Sequence, residues 1–219
     1  LEDSLMAALK DTRCNLMMAE TAERIAKERA IPRQAQDEYA LRSHKLGAAA
    51  VKSGVFKDEI VPVLVKAKGK MVPVDQDDHI KPETTLEGLA ALSPSFGKDG
   101  TVTAGNASGI VDGAASVVVT TADLAMSRKL APMGRVVSWG ISGVDPATMG
   151  LGPVPAIRQA LERAKLSLKD IDLVEINEAF SAQYLAVEKD LGLDRDRVNV
   201  NGGAIALGHP LAATGTRLI

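Results

Sequence analysis

Two short stretches near the end of the chain carry side chains able to do chemistry. One reads Asn201-Gly202-Gly203-Ala204-Ile205-Ala206-Leu207-Gly208-His209-Pro210. Small residues let the backbone fold tightly and approach a ligand closely. His209 stands between Gly208 and Pro210, a rigid and sterically open setting. That suits a general base, or an imidazole that donates to a developing oxyanion. A histidine packed in a tight loop would occupy the same setting. The other stretch reads Val174-Glu175-Ile176-Asn177-Glu178-Ala179-Phe180. A strand pattern stops at Asn177 and a helical pattern follows at once. Side chains at strand ends of α/β folds face the ligand crevice. Asn177 offers both a donor and an acceptor there, enough to hold a water or a carbonyl. Asn is also a good helix N-cap, and position alone leaves both roles open.

The remaining candidates are weaker. His44 lies in a charged helical pattern and His79 in a polar stretch, so both read as solvated. Cys14, the only cysteine, has no glycine elbow and no helix N-terminus beside it to lower its pKa, and reads as a packing or surface thiol. No His, Asp or Glu set has metal-ligand spacing. The glycine-rich run from Gly202 to Gly215 lacks the Gly-Lys-Ser/Thr ending and the Gly-x-Gly-x-x-Gly spacing of nucleotide loops.

The elements that must position His209 and Asn177 follow from periodicity. Helical patterns run from Thr21 to Ala30 and from Arg33 to Lys52, with Gly54 as C-cap. Ile31-Pro32 separates them. Glu59 to Val65 and Met71 to Val74 read as strands around a basic turn centred on Gly69. A short helix is expected near Thr85 to Leu89, and an ordered, functional loop over Ser93 to Gly109. Strands are then expected over Ala114–Thr120, Gly134–Val144, Ile171–Ile176 and Val198–Val200. Helices are expected over Ala122–Leu130, Val154–Lys165 and Asn177–Leu191. This alternation gives an α/β layered core, with the more helical first half set on it like an insertion.

Composition narrows the function. Among 219 residues, 26 Lys plus Arg face 28 Asp plus Glu, a net charge of −2, which argues against a general nucleic-acid binder. Aromatic residues are 3 %, too few for a base-stacking platform. One cysteine excludes an intramolecular disulfide framework and points to a reducing, intracellular compartment. No stretch approaches the roughly 18 to 20 apolar residues of a membrane span. The chain begins at Leu1 and ends just after a glycine-rich turn, and reads as an interior piece of a longer protein or a processed chain.

Over essentially all 219 residues the sequence resembles the thiolases, the acetyl-CoA acyltransferase family. The resemblance rests on Thr21-Ala22-Glu23, Thr84-Thr85-Leu86-Glu87, Gly100 to Gly109, Asp112-Gly113-Ala114, Met149 to Ala156, Asn177-Glu178-Ala179-Phe180 and Asn199 to Pro210. It implies an α-β-α-β-α layered fold, present in part. Residues 1–110 would hold the end of the first core half and the loop domain, 111–133 the last part of that half, and 134–219 the second half. It also implies reversible cleavage or condensation next to a thioester carbonyl, as in the degradation of fatty acids, through an acyl group carried on a cysteine. His209 would activate that cysteine and help bind the thioester oxygen, and Asn177 would hold an oxyanion-hole water. Met18, Phe96, Ala104, Ala107, Ser108, Met149 and Phe180 would contact coenzyme A, which with acyl-CoA serves as substrate. No permanently bound cofactor and no metal is implied. A homodimer or homotetramer is.

Three departures qualify the resemblance. Neither cysteine that the family uses is in the chain, since one belongs before Leu1 and the other after Ile219, and Cys14 matches neither. Ala212 stands where the family has glycine. Met17-Met18-Ala19 differs from the His-Met-Gly of acetoacetyl-forming members, which favours a 3-ketoacyl-CoA thiolase over an acetyl-CoA acetyltransferase. A thiolase-like acyl-CoA binder without catalysis is the rival reading. A condensing enzyme acting on carrier-protein thioesters ranks lower, because it would want a second histidine in place of Asn177.

Overall fold

The computed structural model describes residues 2–97 and 99–219. Helix α1 (Ser4–Ala8) starts where the Asp3 carboxylate accepts the N–H groups of Leu5 and Met6. A turn around Cys14 follows, held by Asp11, whose Oδ1 accepts the N–H groups of Arg13 and Cys14, each at 2.8 Å. Helix α2 (Met18–Glu28) begins three residues before the expected Thr21. The cause is Glu20, which reaches back to the Met17 N–H at 2.6 Å and places an anion in the first turn. Its buried face is small: Ala19, Thr21, Ala22, Ile25 and Ala26.

Helix α3 (Arg33–Ser53) matches the expected span. Pro32 precedes it, and Gly54 closes it with φ of 79° and an N–H turned back to the carbonyls of Ala50 and Val51. Tyr39, Ala40, Ser43, His44, Gly47 and Ala50 make its buried face, spaced by three and four residues. His44 is therefore not solvated as its charged neighbours implied. It is 5 % exposed, and its Nδ1 accepts the Lys81 N–H at 3.3 Å. Strands β1 (Val63–Ala67) and β2 (Lys70–Val74) form an antiparallel hairpin in register from Val63↔Val74 to Ala67↔Lys70. Both residues of its turn, Lys68 and Gly69, have positive φ, as the twist of a two-residue hairpin demands. Helix α4 (Leu86–Ala90) is capped by Thr85 Oγ1, which accepts the Gly88 N–H at 3.1 Å. The expected loop over Ser93 to Gly109 is ordered where it is described; Lys98 lies outside the described residues.

Two expected strands do not form. Residues 114–120 join no ladder, and Val118 and Val119 are 90 % and 79 % exposed. A strand is stabilised by cross-strand neighbours, and among the described residues none stands beside this one. Helix α5 (Ala122–Ser127) follows, ending three residues short of Leu130. Residues 134–144 instead run along helix α6 (Pro153–Ala164). Ser138 Oγ donates to the Ala160 carbonyl at 2.7 Å, the Ile141 N–H to Gln159 Oε1 at 2.8 Å, and Arg163 to the Trp139 carbonyl at 2.8 Å. A helix satisfies polar groups that a sheet would otherwise hold.

The last two expected strands reduce to a parallel bridge between Val174 and Val198. Helix α7 (Ser181–Leu191) starts four residues after Asn177, with Phe180 at its N-cap. Asn177 is thus not the cap. The expected glycine-rich loop contains helix α8 (Ala204–Leu207) and runs into helix α9 (Thr214–Leu218). Ala212 is not at positive φ, so alanine sits there without strain.

The main core joins α3, α7, α8 and the bridged segments: Tyr39, Ala40, Ile176, Tyr184, Leu185, Val187, Val198 and Ile205 are all buried in it. The rings of Tyr39 and Tyr184 stack at 4.1 Å.

Candidate active site

Glu178 organises the site. It is fully buried, and its two oxygens accept four hydrogen bonds. Oε1 takes the Tyr39 hydroxyl at 2.7 Å and Asn199 Nδ2 at 3.0 Å; Oε2 takes the Ser43 hydroxyl at 2.7 Å and the Ile205 N–H at 3.1 Å. These four donors satisfy both carboxylate oxygens. Burial, then the Glu178 charge, pushes the Tyr39 phenol far above its ordinary value, so it stays a donor. Asn199, fully buried at φ of 48°, also clasps the strand end: its Oδ1 accepts the Ile176 N–H at 2.9 Å and its Nδ2 donates to the Ile176 carbonyl at 2.9 Å. Gly203 passes so close that an added Cβ would lie 2.2 Å from the Glu178 carboxyl carbon. Only glycine fits. Glu178 thus ties helix α3 to the start of α8 directly and reaches the chain at Ile176 through Asn199, beside Asn177.

His209 follows α8 after Gly208. Its N–H donates to the Gly109 carbonyl at 2.9 Å, and its Nδ1 lies 2.7 Å from Thr214 Oγ1. Nε2 lies 3.3 Å from Asn177 Nδ2. The two residues singled out in the sequence therefore face each other. Half-burial of the ring lowers the His209 pKa below 6.5, so the imidazole is neutral at pH 7 and able to take a proton. Asn177 Oδ1 is buried and accepts no hydrogen bond among the described residues, a position that elsewhere costs roughly 1 to 3 kcal/mol.

The expected coenzyme A contacts converge in part. Phe96, Ala107 and Phe180 pack against the α2 face formed by Ala19 and Ala22, together with Val102. Ala107 bridges to Phe180, and Ser108 donates both its N–H, at 3.0 Å, and its hydroxyl, at 3.1 Å, to the Ala179 carbonyl. The loop is thereby stitched to the chain that follows Asn177. Met18 opens α2, and Met149 lies on a 3₁₀ turn (Pro146–Leu151) that packs on α2 and α7. Met149 is exposed, as is Ala104.

Sequence reasoning missed the supports of this loop. Glu23 accepts the N–H groups of Thr101 and Val102 at 2.7 and 2.6 Å. Asn106 Nδ2 donates to Asp37 at 2.9 Å, and Asp37 in turn accepts from Arg33 at 2.8 Å. It also missed His79, which is half-buried rather than solvated and packs its ring against Gly109, where an added Cβ would lie 2.3 Å away. The signal for Asp37 and Asn106 was faint: a polar residue on the inner face of a helix, and an Asn within a glycine-rich loop.

Helices α3, α7 and α8 pack around the bridged segments, and a glycine-rich turn brings a histidine and an asparagine together at their edge. The family model described as the thiolase N-terminal domain matches residues 1–123, and that of the thiolase C-terminal domain matches residues 130–219. The chain belongs to the thiolase family. It is 52 % identical over 218 residues to the human mitochondrial 3-ketoacyl-CoA thiolase, covering all of this chain and 55 % of that protein. It is 52 % identical over 219 residues to an acetyl-CoA acetyltransferase of Escherichia coli, again covering 55 % of it. Among solved structures, the Bacillus anthracis acetyl-CoA acetyltransferase superposes with a TM-score of 0.97 at 50 % identity, over 99 % of this chain and 55 % of that one. The human mitochondrial 3-ketoacyl-CoA thiolase in complex with CoA gives 0.91 at 49 % identity, over 99 % and 54 %. The chain spans about half the length of the curated relatives it matches, and its architecture is a partial thiolase fold.

Proposed function

We propose that this chain supplies the histidine and asparagine half of a CoA-dependent thiolase that acts on 3-ketoacyl-CoA. The observation that carries the reading is the facing pair: His209 Nε2 lies 3.3 Å from Asn177 Nδ2, beside a buried amide oxygen with no hydrogen-bond partner among the described residues. In this reading Nε2 takes the proton of the nucleophilic cysteine, which the family places outside these residues. The thiolate takes the acyl group. His209 and Asn177 then stabilise the oxygen of the thioester. The small and apolar side chains of Ala104, Ala107, Phe96, Phe180, Met18 and Met149, with Ser108, line the path of the pantetheine arm, as an apolar tunnel with few polar groups requires.

Further proposals follow from the same assignment. In this reading residues 1–110 hold the end of the first core half and the loop domain, 111–133 the last part of that half, and 134–219 the second core half. A homodimer or homotetramer is supported by the β1–β2 hairpin, which exposes Val63, Leu64, Met71 and Val74 together; apolar surface of this kind marks contacts. Met17-Met18-Ala19 supports 3-ketoacyl-CoA over acetoacetyl-CoA formation. The 219 residues expressed by themselves should show no thiolysis, because no thiolate nucleophile can form the acyl intermediate.

The test is mass spectrometry of the protein at its natural length after mixing with a 3-ketoacyl-CoA. An acyl group on one cysteine is expected, and it should fail to form in His209→Asn. Tight acyl-CoA binding without any adduct would favour the rival, a thiolase-like binder.

A further inference from the structure

Thr214 bonds to His209 on the side of the ring away from Asn177. Its hydroxyl has one proton, and Oγ1 donates it to the Pro210 carbonyl at 3.1 Å. The 2.7 Å contact between Oγ1 and His209 Nδ1 is then one in which Nδ1–H donates. A neutral imidazole carries a single N–H, so Nε2 keeps its lone pair, which the Asn177 amide N–H meets at 3.3 Å. Thr214 is 7 % exposed, and the same carbonyl accepts its backbone N–H at 3.0 Å. The hydroxyl is thus fixed at both ends, and solvent has little access to reorient it.

We propose that Thr214 is a positioning residue that holds His209 as the Nδ1–H tautomer, leaving the Nε2 lone pair as the base. The inference rests on the reading of His209 as the group that activates the nucleophile. In that reading the thiol proton moves to Nε2 and the sulfur keeps the electron pair. The imidazolium formed then presents Nε2–H to the thioester oxygen, while Nδ1–H keeps its bond to Thr214. One contact serves both states of the ring, because it never has to change donor and acceptor. A misassigned tautomer would leave Nε2 protonated and unable to accept.

Neutron diffraction from deuterated protein at its natural length tests the assignment directly. Deuterium is expected on Nδ1 of His209 and not on Nε2; deuterium on Nε2 alone would overturn the proposal whatever any variant does. Kinetics supply the second arm. Thr214→Val, nearly isosteric, should lower kcat for thiolysis about 10- to 100-fold with KM within about 3-fold, and Thr214→Ser should restore it. Full activity in Thr214→Val would also overturn the proposal. If the wild-type protein shows no thiolysis at all, the functional reading fails, while the neutron map still decides the role of Thr214.

Discussion

The carboxylate of Glu178 accepts the N–H of Ile205 at 3.1 Å, which ties the residue after Asn177 to the helix that leads into His209. This bond acts beside the contacts of His209 with Gly109 and Thr214. Glu178→Gln would place an amide N–H₂ against two of four donors and leave them without an acceptor. At roughly 1 to 3 kcal/mol for each buried donor left unsatisfied, the variant should lose about 2 to 6 kcal/mol of stability. Urea unfolding would measure this. A midpoint equal to wild type would show that Glu178 does not hold the site together.

The facing pair itself predicts a kinetic separation. His209→Asn removes the proposed base and should reduce kcat/KM about 10²- to 10⁴-fold. Asn177→Ala removes the proposed oxyanion contact, so its loss should fall mainly on kcat, by about 10²- to 10³-fold. Steady-state thiolysis by both variants checks the assignment.

Acidity offers a third test. Burial lowers the His209 pKa from 6.5, so the neutral base persists below the pH at which an ordinary histidine charges. The acid limb of kcat/KM should therefore lie below pH 6.5. A limb above 6.5 would mean that a different group limits the rate.

His44 gives a stability prediction of known sign. Burial first, then the charges of His79 and Lys81, lower its pKa to about 4 from 6.5. The folded protein keeps this ring neutral while the unfolded chain protonates it. Its contribution is thus fully present above pH 6.5 and is lost progressively as pH falls toward about 4. A ring titration followed by NMR should show a midpoint near 4, and His44→Asn should flatten the fall in stability over that range. A midpoint at the ordinary value would contradict the buried placement.

Much of this was legible in the sequence, and the parts that were not share a cause. Helix α3 could be read from its three-and-four spacing and its Pro32 and Gly54 boundaries, because those signals act locally. His209 and Asn177 could be read because a glycine-rich turn and a strand end are local too. Residues 114–120 are as β-branched as any strand, yet pairing depends on a neighbour, and none stands there among the described residues. The start of α7 was misplaced because Ala179 and Phe180 are held extended by Asn106, Ala107 and Ser108, some seventy residues earlier. Glu178 stood in a motif already noted, but its four partners come from α3, α8 and Asn199. No spacing within the motif reports them.

Ala104 provides a test of the proposed coenzyme A path, since it is exposed where most of its neighbours are packed. A bulky replacement such as Ala104→Trp should leave the fold intact and raise KM for acyl-CoA about tenfold, with kcat within about 3-fold. An unchanged KM would move the path away from this loop.

The central claim is tested most directly by one assay of the protein at its natural length: thiolysis of acetoacetyl-CoA and of longer 3-ketoacyl-CoAs by wild type and His209→Asn. Acetyl-CoA release that depends on free CoA, is faster with the longer substrates and is lost in His209→Asn is the predicted result. Binding of acyl-CoA with no thiolysis of any substrate would contradict the account.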